Sequence, residues 1–219
     1  MTKTAIADCR LYGFIDTAYL AGRDPAELAR RLIAGGVDVI QVRAKQETYS
    51  QRVALALAVV RAAQSSPVPI IINDDVEAAF ETGADGVHLG QEDWALLPRE
   101  QRREKLIGLR IIGISTHSLE QAQMAERDGA DYIGVGPVFA TGTKPGVKPV
   151  GVELVRKVAA WVAAPFFAIG GITPSNLDEV LAAGATRVAV VSAILCATDA
   201  AKAAAEFKKR LSTPRMNAN

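Results

Sequence analysis

Short apolar runs alternate with longer amphipathic stretches along the whole chain. Runs of strand character fall at Leu11–Ile15, Val37–Val42, Ile70–Ile72, Gly86–Leu89, Ile111–Ile114, Tyr132–Val135, Phe166–Ile169 and Arg187–Val191. Between them, end signals and spacing predict helices. Asp24-Pro25 opens one that runs to Gly35, with Asp suited to the N-cap and Pro to the first turn. Others cover Thr48–Ala63, Asp75–Thr82 with Gly83 as the stop, and Ser118 to Gly129 behind the capping-box pattern Ser118-Leu119-Glu120-Gln121. Val152–Val162, Pro174–Ala183 and Asp199–Leu211 complete the set. The fourth helical slot, Asp93–Gly108, is the least regular. It contains Pro98 and the charged run Arg99-Glu100-Gln101-Arg102-Arg103-Glu104-Lys105, and reads as a solvated helix face or surface excursion.

Eight strands, each followed by a helix, predict an α/β fold of one domain over residues 1–219: a parallel sheet closed into a (βα)8 TIM barrel. Residues 212–219 are expected to fray. An internal echo has the same rhythm. Gly83-Ala84-Asp85-Gly86-Val87 and Gly129-Ala130-Asp131-Tyr132-Ile133 each close a helix at Gly and begin a strand soon after.

The polar residues that interrupt the apolar runs recur at one end of the strands. Gln41-Val42-Arg43-Ala44-Lys45, Asn73-Asp74, Asp93, Ser115, Thr141-Gly142-Thr143-Lys144, Gly170-Gly171 and Val191-Ser192 all follow strand-type runs. In such barrels the active site lies at the C-terminal strand ends. Gln41, Arg43 and Lys45 are spaced i, i+2, i+4, so a continuing strand aims all three at the barrel mouth and turns Val42 and Ala44 away. An Arg and a Lys there suit a phosphorylated ligand, although a neighbouring strand-end carboxylate is a competing partner for Arg43. Asp74 and Asp93, on adjacent strand ends, can share a Mg²⁺, which takes oxygen ligands and bridges phosphates. Asp75 and Ser118 read as helix caps. Gly170-Gly171 and Val191-Ser192 occupy the usual phosphate position of this architecture, where backbone N–H groups meet the anion. His117 and His88 invite a proton-transfer role, but a structural hydrogen bond is an equal reading. The pattern thus suggests two anionic centres, one metal-assisted near strands two to five and one metal-free near strands six to eight.

The chain is 49% hydrophobic over 219 residues, enough for one filled barrel. Its net charge of +1 argues against a nucleic-acid or anionic-membrane surface. Cys9 and Cys196 have no metal or redox spacing and read as small buried residues. No apolar stretch spans a bilayer and the first residues carry no signal-peptide core, so a cytoplasmic location is expected. No nucleophilic triad, dinucleotide fingerprint or Walker loop is present.

Taken in order, the segments at 41–45 (QVRAK), 72–74 (IND), 83–93 (GADGVHLGQED), 113–117 (GISTH), 129–144 (GADYIGVGPVFATGTK), 148–151 (KPVG), 168–172 (AIGGI) and 188–194 (VAVVSAI) resemble the thiamine-phosphate synthase family over roughly residues 10–210. The resemblance implies a transferase that joins a hydroxymethylpyrimidine diphosphate to a hydroxyethylthiazole phosphate, releasing pyrophosphate and forming thiamine monophosphate. It implies Gln41, Arg43, Lys45, Asn73, Ser115 and Lys144 as pyrimidine-diphosphate binders, with Arg43, Lys45, Lys144 and Ser115 acting in the chemistry. It implies Asp74 and Asp93 as Mg²⁺ ligands, and Thr141, Thr143, Gly171, Val191 and Ser192 as the thiazole-phosphate site. Ala44 stands where many members carry Glu. The partners implied are small phosphorylated substrates, with no nucleic acid or membrane, and a homo-oligomer is left open. Two other readings are a thiazole tautomerase using His117 and a non-catalytic thiamine-phosphate sensor. Neither needs the paired carboxylates or the Arg43 and Lys45 grip.

Overall fold

A computed structural model describes residues 2–98, 102, 105–143 and 146–213. Eight parallel strands close into a barrel in sequential order. They are β1 (Leu11–Asp16), β2 (Val39–Arg43), β3 (Ile70–Asn73), β4 (Gly86–Leu89), β5 (Ile111–Thr116), β6 (Tyr132–Val135), β7 (Phe166–Ile169) and β8 (Val188–Ala189). The helices that cover them include α1 (Pro25–Ala34), α2 (Tyr49–Ala62), α3 (Val76–Thr82), α4 (Gln91–Ala95), α5 (Leu119–Arg127), α6 (Gly151–Trp161), α7 (Leu177–Ala182), α8 (Ser192–Leu195) and α9 (Ala200–Ser212). The expected barrel is therefore present. No described helix is long and apolar enough to cross a membrane.

Local chemistry sets the helix ends. The Asp24 carboxylate accepts from the Glu27 backbone N–H, with Pro25 behind it in the first turn. Asp75 caps α3 and Ser118 caps α5 in the same way. The capping box expected at Ser118 closes differently, because Gln121 reaches back to the His117 N–H at 2.7 Å. A reciprocal box forms instead at Thr48 and Gln51. Gly83 ends α3 in the left-handed region (φ +66°), which accounts for one of the internal echoes.

Strand alternation divides the apolar residues between two layers. Ile15, Ile40, Ile70 and Ile72 are fully or almost fully buried and face the helices, whereas Tyr12, Phe14, Gln41, Asn73, His88 and Ser115 face the barrel axis and line its mouth. Each buried Ile contributes roughly 1.5–3 kcal/mol of apolar transfer. The helix-facing layer carries most of the stability, and the axial layer is free to carry chemistry.

Several sequence expectations change. The eighth strand, expected over Arg187–Val191, is shorter, at Val188–Ala189; the Val190 N–H still donates to the Tyr12 carbonyl at 3.0 Å, and Val191 turns away as the N-cap of α8. Asp93 does not end β4, which stops at Leu89; it lies in the first turn of α4. The charged run is in part an anchor. Arg102 donates to the Leu97 carbonyl at 2.8 Å, bonds Asp128 and lies 3.9 Å over the Trp94 ring. Cys9 is buried as expected, but Cys196 is exposed. The tail expected to fray lies mainly at residues 214–219, outside the described residues, while Ser212 is helical.

Candidate active site

The mouth of the barrel is a pocket lined from every side of the sheet. Gln41, Arg43, Asn73, His88 and Ser115 contribute from one side, and Thr141, Thr143, Gly171, Val191 and Ser192 from the other. Expected residues of both groups therefore share one cavity, but Lys45, Asp74 and Asp93 are not among those that line it. Lys144 lies outside the described residues.

On the β2–β5 side, charged groups are bound to one another. Arg43 stands beside Asp16 in the β1–β2 register, and its Nη1 donates to Asp16 Oδ2 at 2.9 Å. Asp16 is 1% exposed and also accepts from the Ala18 N–H. The carboxylate partner weighed against ligand binding is thus real, yet Arg43 still lines the pocket. Asp16 was missed from sequence. Its signal was a carboxylate ending a strand at an axis-facing position.

Lys45 lies beyond the end of β2 and ion-pairs with Asp74. Asn73 Nδ2 donates to the same carboxylate at 2.6 Å, and the Gly90 N–H reaches its other oxygen at 3.3 Å. Asp74 itself sits in the left-handed region (φ +60°), which a non-glycine residue enters at a cost of roughly 1 kcal/mol. Its backbone N–H donates to the His88 carbonyl at 2.8 Å, which helps hold that conformation. Strain kept at such a position is typical of a functional constraint. Burial raises the Asp74 carboxyl, but Lys45 and the hydrogen bonds around it outweigh burial and hold it below the usual range. Asp93, on α4, is pushed the other way, by burial and then by the Asp74 charge, with which it shares a hydrogen bond. Two carboxylates held this close repel each other, and a cation between them would offset that repulsion. The donors are all oxygen, which suits Mg²⁺. Among the described residues no group of three or more His, Cys, Asp or Glu converges, so a cation held by this pair would take its other ligands from substrate and water.

Ser115, paired with Gly134 across β5–β6, is bound by His88 Nε2 at 2.9 Å. His117 Nδ1 faces the Gly136 carbonyl, so the structural hydrogen bond weighed for it is present.

The β6–β8 side is built from hydroxyls and backbone. The Thr143 N–H donates to Thr141 Oγ1 at 3.2 Å, and Tyr19 Oη contacts Thr143 Oγ1 at 3.1 Å. Gly171 has φ +65°, and a Cβ there would fall 2.5 Å from the Ala140 carbonyl oxygen. Glycine lets the loop after β7 close onto the loop after β6. Asn176 fastens it by donating to the Gly171 carbonyl at 2.9 Å. Val191 caps α8, which opens into the same pocket. Tyr19 and Asn176 were not legible in sequence, because each acts on loop backbone or on a hydroxyl far along the chain.

Residues 11–194 match the family model described as thiamine monophosphate synthase. The chain is 40% identical to the thiamine-phosphate synthase of Chloroflexus aurantiacus over 219 residues, all of both chains. It is 44% identical to that of Herpetosiphon aurantiacus over 201 residues, 91% of this chain and 95% of the relative. The structure of thiamine phosphate pyrophosphorylase from Pyrococcus furiosus superposes with a TM-score of 0.82 at 34% identity, covering 93% of this chain and 95% of that one. The chain belongs to the thiamine monophosphate synthase family, transferases that make thiamine monophosphate in thiamine biosynthesis.

Proposed function

We propose that the pocket joins a pyrimidine diphosphate to a thiazole phosphate by a dissociative route, with Asp74 and Asp93 holding Mg²⁺ against the diphosphate. The observation that carries this reading is the division of the mouth. On one side Arg43 and Asn73 line the pocket, and Asn73 bonds Asp74, which gathers Lys45 and Asp93 at the rim; the other side offers uncharged hydroxyls and backbone at Thr141, Thr143, Gly171, Val191 and Ser192. A diphosphate with its metal matches the first side and a phosphate monoester the second.

The chain's groups divide the work accordingly. Gln41 and Asn73 orient the pyrimidine end. Arg43, Lys45 and Lys144 stabilise pyrophosphate as its bond to the pyrimidine methylene carbon breaks, and Ser115 donates to a departing oxygen. The electron pair leaves with pyrophosphate, and the aminopyrimidine ring delocalises the cation left on carbon. The thiazole nitrogen, placed by the phosphate grip of the opposite side, supplies the pair for the new C–N bond. Bound Mg²⁺ supplies charge neutralisation of the diphosphate. No protein nucleophile is required, so the rate comes from positioning and preorganised charge.

The test mixes purified protein with both phosphorylated precursors, with and without Mg²⁺, and follows thiamine monophosphate and pyrophosphate. Metal-dependent formation of both in equal amounts is the expected result. Thiazole-phosphate binding without coupling would sink the reading and move attention to His117 and isomerisation.

A further inference from the structure

Across the pocket floor, five polar side chains form one continuous hydrogen-bonded line. Gln41 Nε2 donates to Tyr12 Oη at 2.9 Å. Tyr12 Oη and Tyr132 Oη are 2.8 Å apart. Tyr132 Oη meets His88 Nδ1 at 2.9 Å, and His88 Nε2 meets Ser115 Oγ at 2.9 Å. Tyr12 is 2% exposed, Tyr132 0% and Gln41 3%. The two phenols pack against Phe167, edge-on at 5.2 and 5.6 Å between centroids. The space for Tyr132 exists because position 113 is glycine. A Cβ on Gly113 would lie 2.0 Å from Tyr132 Cζ.

Counting protons gives the line a direction. Both phenols are held protonated by burial, which pushes each well above its ordinary range. With Gln41 donating into Tyr12, the buried Tyr12 proton finds its acceptor in Tyr132. The Tyr132 proton then goes on to His88 Nδ1. His88 carries its own proton on Nε2 and donates it to Ser115 Oγ, whose hydroxyl proton is left to point away from the imidazole.

We propose that Tyr132 is a positioning residue for the coupling reaction: its buried hydroxyl fixes the His88 tautomer and thereby aims the Ser115 O–H into the pocket. The inference rests on the reading of Ser115 as a donor to the diphosphate. It adds that the donor's direction is set at the barrel axis, two side chains away. The line also links Ser115 to Gln41, so both residues on the pyrimidine side are held in one arrangement before substrate arrives.

The tautomer is measurable in the native protein without any substitution. The chain has two histidines. His117 Nδ1 faces a carbonyl, an acceptor, and so carries its proton on Nδ1. Long-range ¹H–¹⁵N correlation spectra of ¹⁵N-histidine-labelled protein, at mildly alkaline pH, are expected to show one Nδ1–H ring and one Nε2–H ring. Two Nδ1–H rings, or a doubly protonated His88, reverse the line and overturn the proposal even if the enzyme couples its substrates normally.

Kinetics give the second arm. Tyr132→Phe is expected to lower kcat about tenfold, the scale of one hydrogen bond, with the thiazole-phosphate KM unchanged. Combined with Ser115→Ala it is expected to cost no more than Ser115→Ala alone, because it acts through that hydroxyl. Losses that multiply, or a lower melting temperature with full kcat, make Tyr132 a packing residue only. Should Tyr132→Phe fail to fold, the tautomer spectra of the native protein decide the proposal by themselves.

Discussion

Across the barrel mouth, the β2–β5 side presents ionised side chains that hold one another in place, while the β6–β8 side presents hydroxyls, glycines and the opening of a short helix. The first arrangement concentrates charge, and before a ligand binds that charge needs internal partners: Asp16 for Arg43, Lys45 for Asp74. The second needs none, since backbone N–H groups carry partial charge fixed by the fold. A side built from ion pairs can exchange them for a metal diphosphate. A side built from backbone gives a phosphate monoester a fixed seat. Under the proposed function, this division separates the leaving-group machinery from the site that positions the nucleophile.

The comparison breaks most readily at the carboxylates. Asp93→Ala is expected to cut turnover by a hundredfold or more, on the order of losing a well-placed electrostatic group, while thiazole-phosphate binding measured by calorimetry is unchanged. Loss of both together would mean the two sides are one site.

The two cations on the charged side sharpen it further. Arg43→Met and Lys45→Met are each expected to lower kcat by roughly a hundredfold. Their effects on folding differ. Removing Arg43 strands the Asp16 carboxylate, 1% exposed, and is expected to cost about 3 kcal/mol in urea unfolding. Removing Lys45, whose side chain is half exposed, is expected to cost less than about 1 kcal/mol. Equal losses of stability would contradict the assignment of Asp16 as the buried counter-ion.

On the other side, Gly171→Ala places a methyl 2.5 Å from the Ala140 carbonyl oxygen and forces the loop off its seat. The thiazole-phosphate KM is expected to rise about tenfold, a hydrogen bond's worth, and the pyrimidine-diphosphate KM to stay as it was.

The smallest effect lies away from the mouth. Burial pushes the Cys9 thiol up to about 12, so native protein is expected to react with a thiol reagent at Cys196 alone, and unfolded protein at both cysteines. Two fast thiols in the native state would mean that Cys9 is not enclosed beneath β1.

Much of this was legible in the sequence, and particular residues show why. The barrel followed from strand-helix alternation, and β4, β6 and β7 have the bounds their apolar runs set. Gln41 and Arg43 were placed at the mouth by two-residue alternation alone. Asp93 was given the right neighbour but the wrong element, because Gly90 ends the strand early and α4 carries the carboxylate back toward Asp74. The partnership of Asp16 with Arg43 depends on the β1–β2 register, which joins residues 27 apart in sequence. The Tyr12–Tyr132 contact spans 120 residues, each tyrosine lying in a run the sequence marks only as a strand. A pattern along the chain reports which face a residue takes, whereas a hydrogen bond across the barrel requires the closed sheet.

The most direct test of the divided mouth is titration calorimetry of each substrate separately, with Mg²⁺ and with a chelator. The account predicts that thiazole phosphate binds equally well in both and that the pyrimidine diphosphate binds tightly only with the metal. Metal dependence of both, or of neither, would contradict it.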